Sequence, residues 1–177
     1  IFVPKKGSIA SIDGGMKTLV QCLVQSLESL DNVTLAIGQE SKSPISVSKA
    51  YGVPLESILW TAPNPNQVNE HSNLSIFAIG FKKEQVTNIE IGYGTLIPDS
   101  NLPISGILHE SDLHNSKRCP ENHRLFRLMV PHNRWDGDEK SVLDCANNLL
   151  SKDPVLFTKI GERRIPKYKP GYMSKLI

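Results

Sequence analysis

The chain is poor in aromatic residues, in cysteine and in net charge. Aromatics make up 6% of its 177 residues, so any core is mainly aliphatic. The three cysteines, Cys22, Cys119 and Cys145, are odd in number and too widely spaced for a disulfide framework, and they read as buried thiols of a reducing compartment. Twenty Lys and Arg against eighteen Asp and Glu leave a charge of +2, too balanced to draw in nucleic acid by bulk charge. No apolar run reaches the roughly 18 to 20 residues that cross a bilayer. The opening Ile1-Phe2-Val3-Pro4-Lys5-Lys6-Gly7 has neither an initiator Met nor the order of a signal peptide, and it reads as the middle of a longer polypeptide.

Motifs of several chemistries are missing too. There is no Gly-x-Ser-x-Gly turn to expose a nucleophilic serine. Gly92-Tyr93-Gly94 has Ile97 where the third glycine of a dinucleotide fingerprint belongs, so on local grounds it reads as a bend at a strand edge. His109, Glu110, Asp112, His114, Cys119 and His123 form the densest set of candidate metal ligands. A zincin helix needs its two histidines four residues apart, whereas His109 and His114 are one residue further apart, and no Cys-x-x-Cys is present. The segment therefore reads as a solvated polar loop without metal. Arg163, Arg164, Lys167, Lys169 and Lys175 read as a solvated basic face.

What is present argues for a packed domain: 39% hydrophobic and 21% charged residues can offset chain entropy. After Asp13-Gly14-Gly15, the residues Met16, Leu19, Val20, Leu23, Val24, Leu27 and Leu30 recur at helical intervals. Asp13 is placed to cap this helix, and the glycines permit a sharp approach to it. Burial at about 1.5 to 3 kcal/mol for each apolar side chain makes the stripe a core face. Short β-branched runs predict strands at 33–37, 45–47 and 58–61, with a helical turn after Pro54 as the alternative for 55–59. Thr61-Ala62-Pro63-Asn64-Pro65 marks a crossover between units, because two prolines interrupt ladder pairing.

Further strands are predicted at 74–82, 89–97, 105–109 and 124–130, the last alternating Phe126, Leu128 and Val130 against Arg127 and Met129. A second helix starts at Asp138, gathers Val142, Leu143, Ala146, Leu149 and Leu150 on one face and is closed by Asp153-Pro154, with a strand at 155–160 after it. The order predicts an α+β (mixed α/β) fold, an antiparallel or mixed sheet with packed helices.

Three stretches, in order, resemble the protoporphyrinogen oxidase family, flavoenzymes of the amine oxidase and phytoene desaturase superfamily. The first is Asp13-Gly14-Gly15-Met16 with its Leu-rich helix, followed by Trp60-Thr61-Ala62-Pro63. The second, Gly92-Tyr93-Gly94-Thr95-Leu96-Ile97-Pro98, is similar to the family's Gly-aromatic-Gly-x-Leu-Val-Pro signature, and Gly106-Ile107-Leu108-His109-Glu110-Ser111 to its Gly-x-x-x-Asp-Ser strand. The third, Ile165-Pro166-Lys167-Tyr168-Lys169-Pro170-Gly171-Tyr172, is similar to an Ile-Pro-x-Tyr-x-x-Gly-His run. Glu110 departs from the usual Asp, and Pro131-His132 stands where Gly-Gly is frequent.

The resemblance implies an internal fragment. Residues 1–65 would be part of a FAD-binding domain, 66–162 a substrate-binding domain, and 163–177 a return toward the FAD-binding domain. The parent enzyme would oxidise protoporphyrinogen IX to protoporphyrin IX in heme biosynthesis, with FAD as cofactor and dioxygen as acceptor. Tyr93, Leu96, Leu108 and Met129 are implied to line the tetrapyrrole pocket, and Thr61, Ala62 and Pro63 to lie against the cofactor. No catalytic acid or base is assigned. The segments that cradle the flavin diphosphate and dock on a membrane are not recognised here, so the fragment is expected to be inactive, to retain no FAD, and to be cytoplasmic or peripheral on a membrane. Its partners would be a tetrapyrrole substrate and no nucleic acid. The alternatives are another FAD-dependent amine oxidase or desaturase, or an independent binding domain with no redox chemistry.

Overall fold

The computed structural model describes residues 12, 14–62, 70–113, 118–168 and 170. The fold is mixed α+β, as expected, and the chain divides into two compact units, Ile1–Asn64 and Pro65–Ile177.

The first unit is helical where described. Helix α1, Met16–Glu28, is the one that the periodicity predicts. Its N-cap is Gly15, without a side-chain cap, while Asp13, the expected cap, lies outside the described residues. Gly14 and Gly15 both have φ of 82°, a backbone that Cβ-bearing residues resist, so the two glycines do make the sharp approach. The stripe on α1 is not a core face in this chain: none of its residues is buried, and Leu23 is 56% exposed.

No strand forms at 33–37, 45–47 or 58–61. Residues 45–47 lie instead in helix α2, Pro44–Tyr51. The cause is local. The Ser43 hydroxyl accepts from the Ser46 N–H, the Ser46 hydroxyl accepts from the Ser43 N–H, and Pro44 supplies a preset φ at the first turn. That start signal outweighs the β propensity of Ile45 and Val47. Leu55–Ser57 forms the 3-10 turn weighed as the alternative after Pro54.

The second unit holds every buried hydrophobic residue of the described chain. Its sheet has five strands in the order β2-β3-β4-β1-β5, and every neighbouring pair is antiparallel. The strands are β1, His71–Lys82; β2, Gly94–Leu96; β3, Gly106–Leu108; β4, His123–Pro131; and β5, Leu156–Pro166. In β4 burial alternates residue by residue, with Phe126, Leu128 and Val130 inside, as predicted. β1 contributes Phe77, Ile79 and Phe81 to the same face. Helix α4, Glu139–Leu149, covers that face with Val142, Cys145 and Ala146, and the Asp138 carboxylate accepts from the Lys140 N–H at its start. Phe77 packs flat on Phe157 (centroids 5.3 Å apart) and edge-on to Trp135 (5.8 Å).

Two strands differ in length from the sequence reading. Of 89–97 only Gly94–Leu96 pairs, because the carbonyls of Ile89 and Glu90 are taken by Arg124 rather than by a ladder. β5 runs on to Pro166 and pairs Ile165 with Ser72, so Arg163 and Arg164 are strand residues. The cysteines are free, but only Cys145 is buried and Cys22 is exposed.

Candidate functional site

The two faces of the sheet differ. Opposite the core, the register sets Leu96, Gly106, Met129, Ile76 and Gly161 side by side across the strands. The next such row is Gly94, Leu108, Arg127, Ala78 and Thr158. Because side chains alternate along a strand, the eight positions on β1 to β4 share the face away from Phe126 and Leu128, while on β5 Gly161 and Thr158, three residues apart, are brought to these rows by a bulge in the register between Ile76 and Phe77.

The side chains confirm it at the glycines. A Cβ on Gly106 would come within 3.0 Å of Met129 Cε and 3.6 Å of Leu96 Cδ2, so both lean over the space that Gly106 leaves open. A Cβ on Gly94 would come within 2.5 Å of the Ile107 carbonyl oxygen, 3.2 Å of Leu108 Cα and 3.3 Å of Leu108 Cδ2, so this glycine lets β3 approach closely. Leu96, Leu108 and Met129 therefore stand together on one apolar surface, and Leu96 is 82% exposed there, far from the environment of a core leucine. Tyr93 sits in the bend before β2, where strand alternation does not place it with Leu96; its carbonyl accepts from the His109 N–H. Thr61 and Ala62 are exposed residues of the first unit, and Pro63 lies outside the described residues.

At one end of this face the loop expected at 111–122 is helical at its start, while its described remainder, 118–122, is loop with every residue but Cys119 exposed. Glu110–Leu113 forms a short helix, α3, and Glu110, His109 and Arg124 are buried. Arg124 spends its guanidinium on a clamp. Nε and Nη2 donate to the two Asp112 carboxylate oxygens at 3.2 and 2.6 Å, and Nη1 donates to the carbonyls of Val86 and Ile89. Nη2 also reaches Glu90 O at 3.3 Å, and the guanidinium lies over the Phe126 ring. A planar group with five N–H donors can be satisfied in this way when buried, and Lys cannot.

Burial pushes the Asp112 carboxyl up, but the Arg124 hydrogen bonds, the Gly92 N–H and the charges of Arg124 and His109 outweigh it and hold Asp112 below the ordinary carboxylate range. A carboxylate whose folded value is depressed stabilises the fold above its unfolded value of about 3.9, and that contribution is lost as pH falls through the folded value. Acid titration of the folded protein is expected to show a loss of stability below about pH 4 that is smaller in Asp112→Asn, which starts from lower stability at neutral pH. Chemical denaturation at a series of pH values measures it.

Of the six residues weighed as candidate ligands, those described have other partners or lie apart in this arrangement. Asp112 is held by Arg124, and Glu110 pairs with Arg118 and Arg127 at 2.8 and 2.9 Å. His109 stacks edge-on to Phe126, with Nδ1 3.4 Å from Asp112 Oδ2. Among the described residues no three such groups converge as metal ligands, and His114 lies outside them. Sequence reasoning missed Arg118, Arg124 and Arg127 as organisers. The available signal was an Arg at 124, on the parity of a strand's buried face, which requires a buried acceptor set.

The residues present do not fit a complete flavin. A dinucleotide cradle needs a strand, a Gly-rich turn and a helix. At the start of α1 the space beside Gly14 is taken by Thr18 of its own helix, whose Oγ1 would lie 2.6 Å from an added Cβ, so this glycine leaves no room for a phosphate. No step through the cofactor is assigned to these residues.

No known family matches the chain by sequence, and no curated protein matches it. Among solved structures, the crystal structure of reduced UDP-galactopyranose mutase is similar to it at 21% identity and a TM-score of 0.42. The likeness covers 57% of this chain and 23% of that one. Likeness of that size decides nothing about activity. Among the described residues no helix is long and apolar enough to cross a membrane.

Proposed function

We propose that this chain belongs to a flavin-dependent oxidoreductase of the kind that oxidises protoporphyrinogen IX, and that the open face of its sheet is the wall against which a flat apolar substrate lies. The observation that carries this reading is the placement of Leu96, Leu108 and Met129. Three residues that the motif resemblance implies as pocket lining, from three different strands, fall on one apolar face around Gly106, Leu96 exposed and Leu108 and Met129 half-buried. A core role would have buried them, as it buries Leu128.

In this reading the chain's own residues bind and orient. Gly94 lets β3 pack closely and Gly106 leaves room over which Leu96 and Met129 lean, these two side chains supply contact to a planar ring, and removal of apolar surface from water drives the association at about 25 cal/mol per Å². FAD would be held by segments other than those described, and Thr61, Ala62 and Pro63 are proposed to border it.

The test is an assay of the full-length protein, loaded with FAD, for oxidation of protoporphyrinogen IX. Conversion to the fluorescent porphyrin, with matching bleaching of the flavin absorbance under anaerobic conditions, is expected. Flavin that stays oxidised in the presence of the porphyrinogen would overturn the substrate assignment.

A further inference from the structure

The bulge in β5 re-aims two charged side chains. Lys159 stands opposite Phe77 and Gly161 opposite Ile76, which leaves Ile160 as the extra residue. A strand without it would set Glu162 and Arg164 against Leu74 and Ser72. With it, they stand against Ser75 and Asn73, on the face that carries Phe77. Arg163 and Arg164, read from the sequence as part of a solvated basic face, thus border a hollow of about 590 Å³ together with His71, Asn73, His132 and Glu162.

The polar groups of this hollow are ordered from beneath. Ser75 is fully buried, and its hydroxyl is bonded to the Glu162 carboxylate, which only accepts, so its oxygen accepts from His132 Nε2 at 2.9 Å. The His132 N–H donates to the Asn73 carbonyl, which fixes the imidazole to β1. Lys159 Nζ sits 2.5 Å from Glu162 Oε1 and holds that carboxyl below its ordinary value, so the one acid that lines the hollow is already matched. Arg164 Nη2 donates to His71 Nδ1 at 3.3 Å, which places the His71 proton on Nε2, and Arg163 Nη1 donates to the Glu162 carbonyl at 2.8 Å.

We infer that this hollow binds a phosphate group through Arg163, Arg164 and the donors of His71 and Asn73. Two guanidiniums match a dianion with three terminal oxygens, since each fork can span two of them, and an imidazole N–H or the Asn73 amide can reach the third. Arg124 shows the contrast within the same sheet: its donors are committed to carbonyls and to Asp112, so it clamps. The site lies on the other face from the proposed substrate wall and does not depend on that reading. A soluble phosphate monoester and the headgroup of phosphatidic acid share the chemistry that it recognises.

The experiment titrates the full-length protein with glycerol 3-phosphate and with dihexanoyl phosphatidic acid, followed by calorimetry and by the imidazole resonances. In wild type the signals of His71 and His132 should move on saturation, while that of His123, opposite Lys82 at the far end of β1, stays in place. This readout needs no variant to fold. Arg164→Gln should weaken binding about tenfold and Arg163→Gln/Arg164→Gln further, as loss of charge-assisted hydrogen bonds requires. Lys167→Gln removes an exposed charge just beyond β5 and should change affinity by less than about twofold. Similar affinity for the two probes would support a soluble phosphate as ligand, and a preference of about tenfold or more for the lipid would support a headgroup. Neither probe moving His71 and His132, His123 moving with them, or Lys167→Gln weakening binding as much as Arg164→Gln would overturn the site.

Discussion

Replacing Arg124 by Gln is expected to destabilise the Pro65–Ile177 unit by about 3–5 kcal/mol, because it removes one partner of a buried ion pair and strands the other. The Asp112 carboxylate would lose its bidentate partner while its side chain stays 7% exposed, and the carbonyls of Val86 and Ile89 would lose their donor. Those groups sit on two separate segments that Arg124 ties to β4, so the loss would loosen the 86–90 turn and α3 together. Arg124→Lys should recover little, since an ammonium cannot span a carboxylate and two carbonyls in one plane. The double variant Arg124→Gln/Asp112→Asn should be less destabilised than the sum of the single changes, as expected when two residues act as a pair. Urea denaturation of the four proteins measures this, and strict additivity would mean that the clamp does not act as a unit.

The second large effect is expected from Phe77→Ala, which should cost about 3–5 kcal/mol. Phe77 has no exposed surface and lies where β1, β5 and the Trp135 turn meet, stacked on Phe157 and edge-on to Trp135. Against the 5–15 kcal/mol typical of a domain, that loss would unfold an appreciable fraction of the protein at 37 °C. Phe77→Leu, which keeps most of the volume, should cost well under half as much. Thermal melting followed by near-ultraviolet circular dichroism reports both.

These residues show where the sequence was readable. β4 was legible because alternation of Phe126, Leu128 and Val130 with Arg127 and Met129 is a direct image of its two faces. α4 was legible from Asp138 and its apolar spacing. α2 was misread, because three β-branched or small residues after Pro44 look like a strand until the reciprocal Ser43–Ser46 cap is noticed. α1 was legible as a helix, but periodicity reports that an apolar face exists and not what covers it. The clamp was hidden for a different reason. Arg124 meets groups 12 to 38 residues away in sequence, and pairings at such separations leave no local pattern. On the candidate face, the motifs around Gly92 and Gly106 fall on β2 and β3, while the register that sets Leu96 and Met129 on either side of Gly106 is a property of the sheet.

The most direct test of the account is to pair Leu96→Ala with Leu128→Ala in the full-length, flavin-loaded protein, and to measure melting temperature and porphyrinogen oxidation kinetics for both. Leu96 is mostly exposed and Leu128 is fully buried, so a ligand wall and a core should separate cleanly. The expected result is that Leu96→Ala changes stability by about 0.5 kcal/mol or less and raises KM or lowers kcat/KM, whereas Leu128→Ala costs about 2–5 kcal/mol and leaves the kinetic constants of the folded fraction near wild type. A Leu96→Ala protein that melts early yet turns over substrate normally would contradict the assignment and return that face to the interior of the molecule.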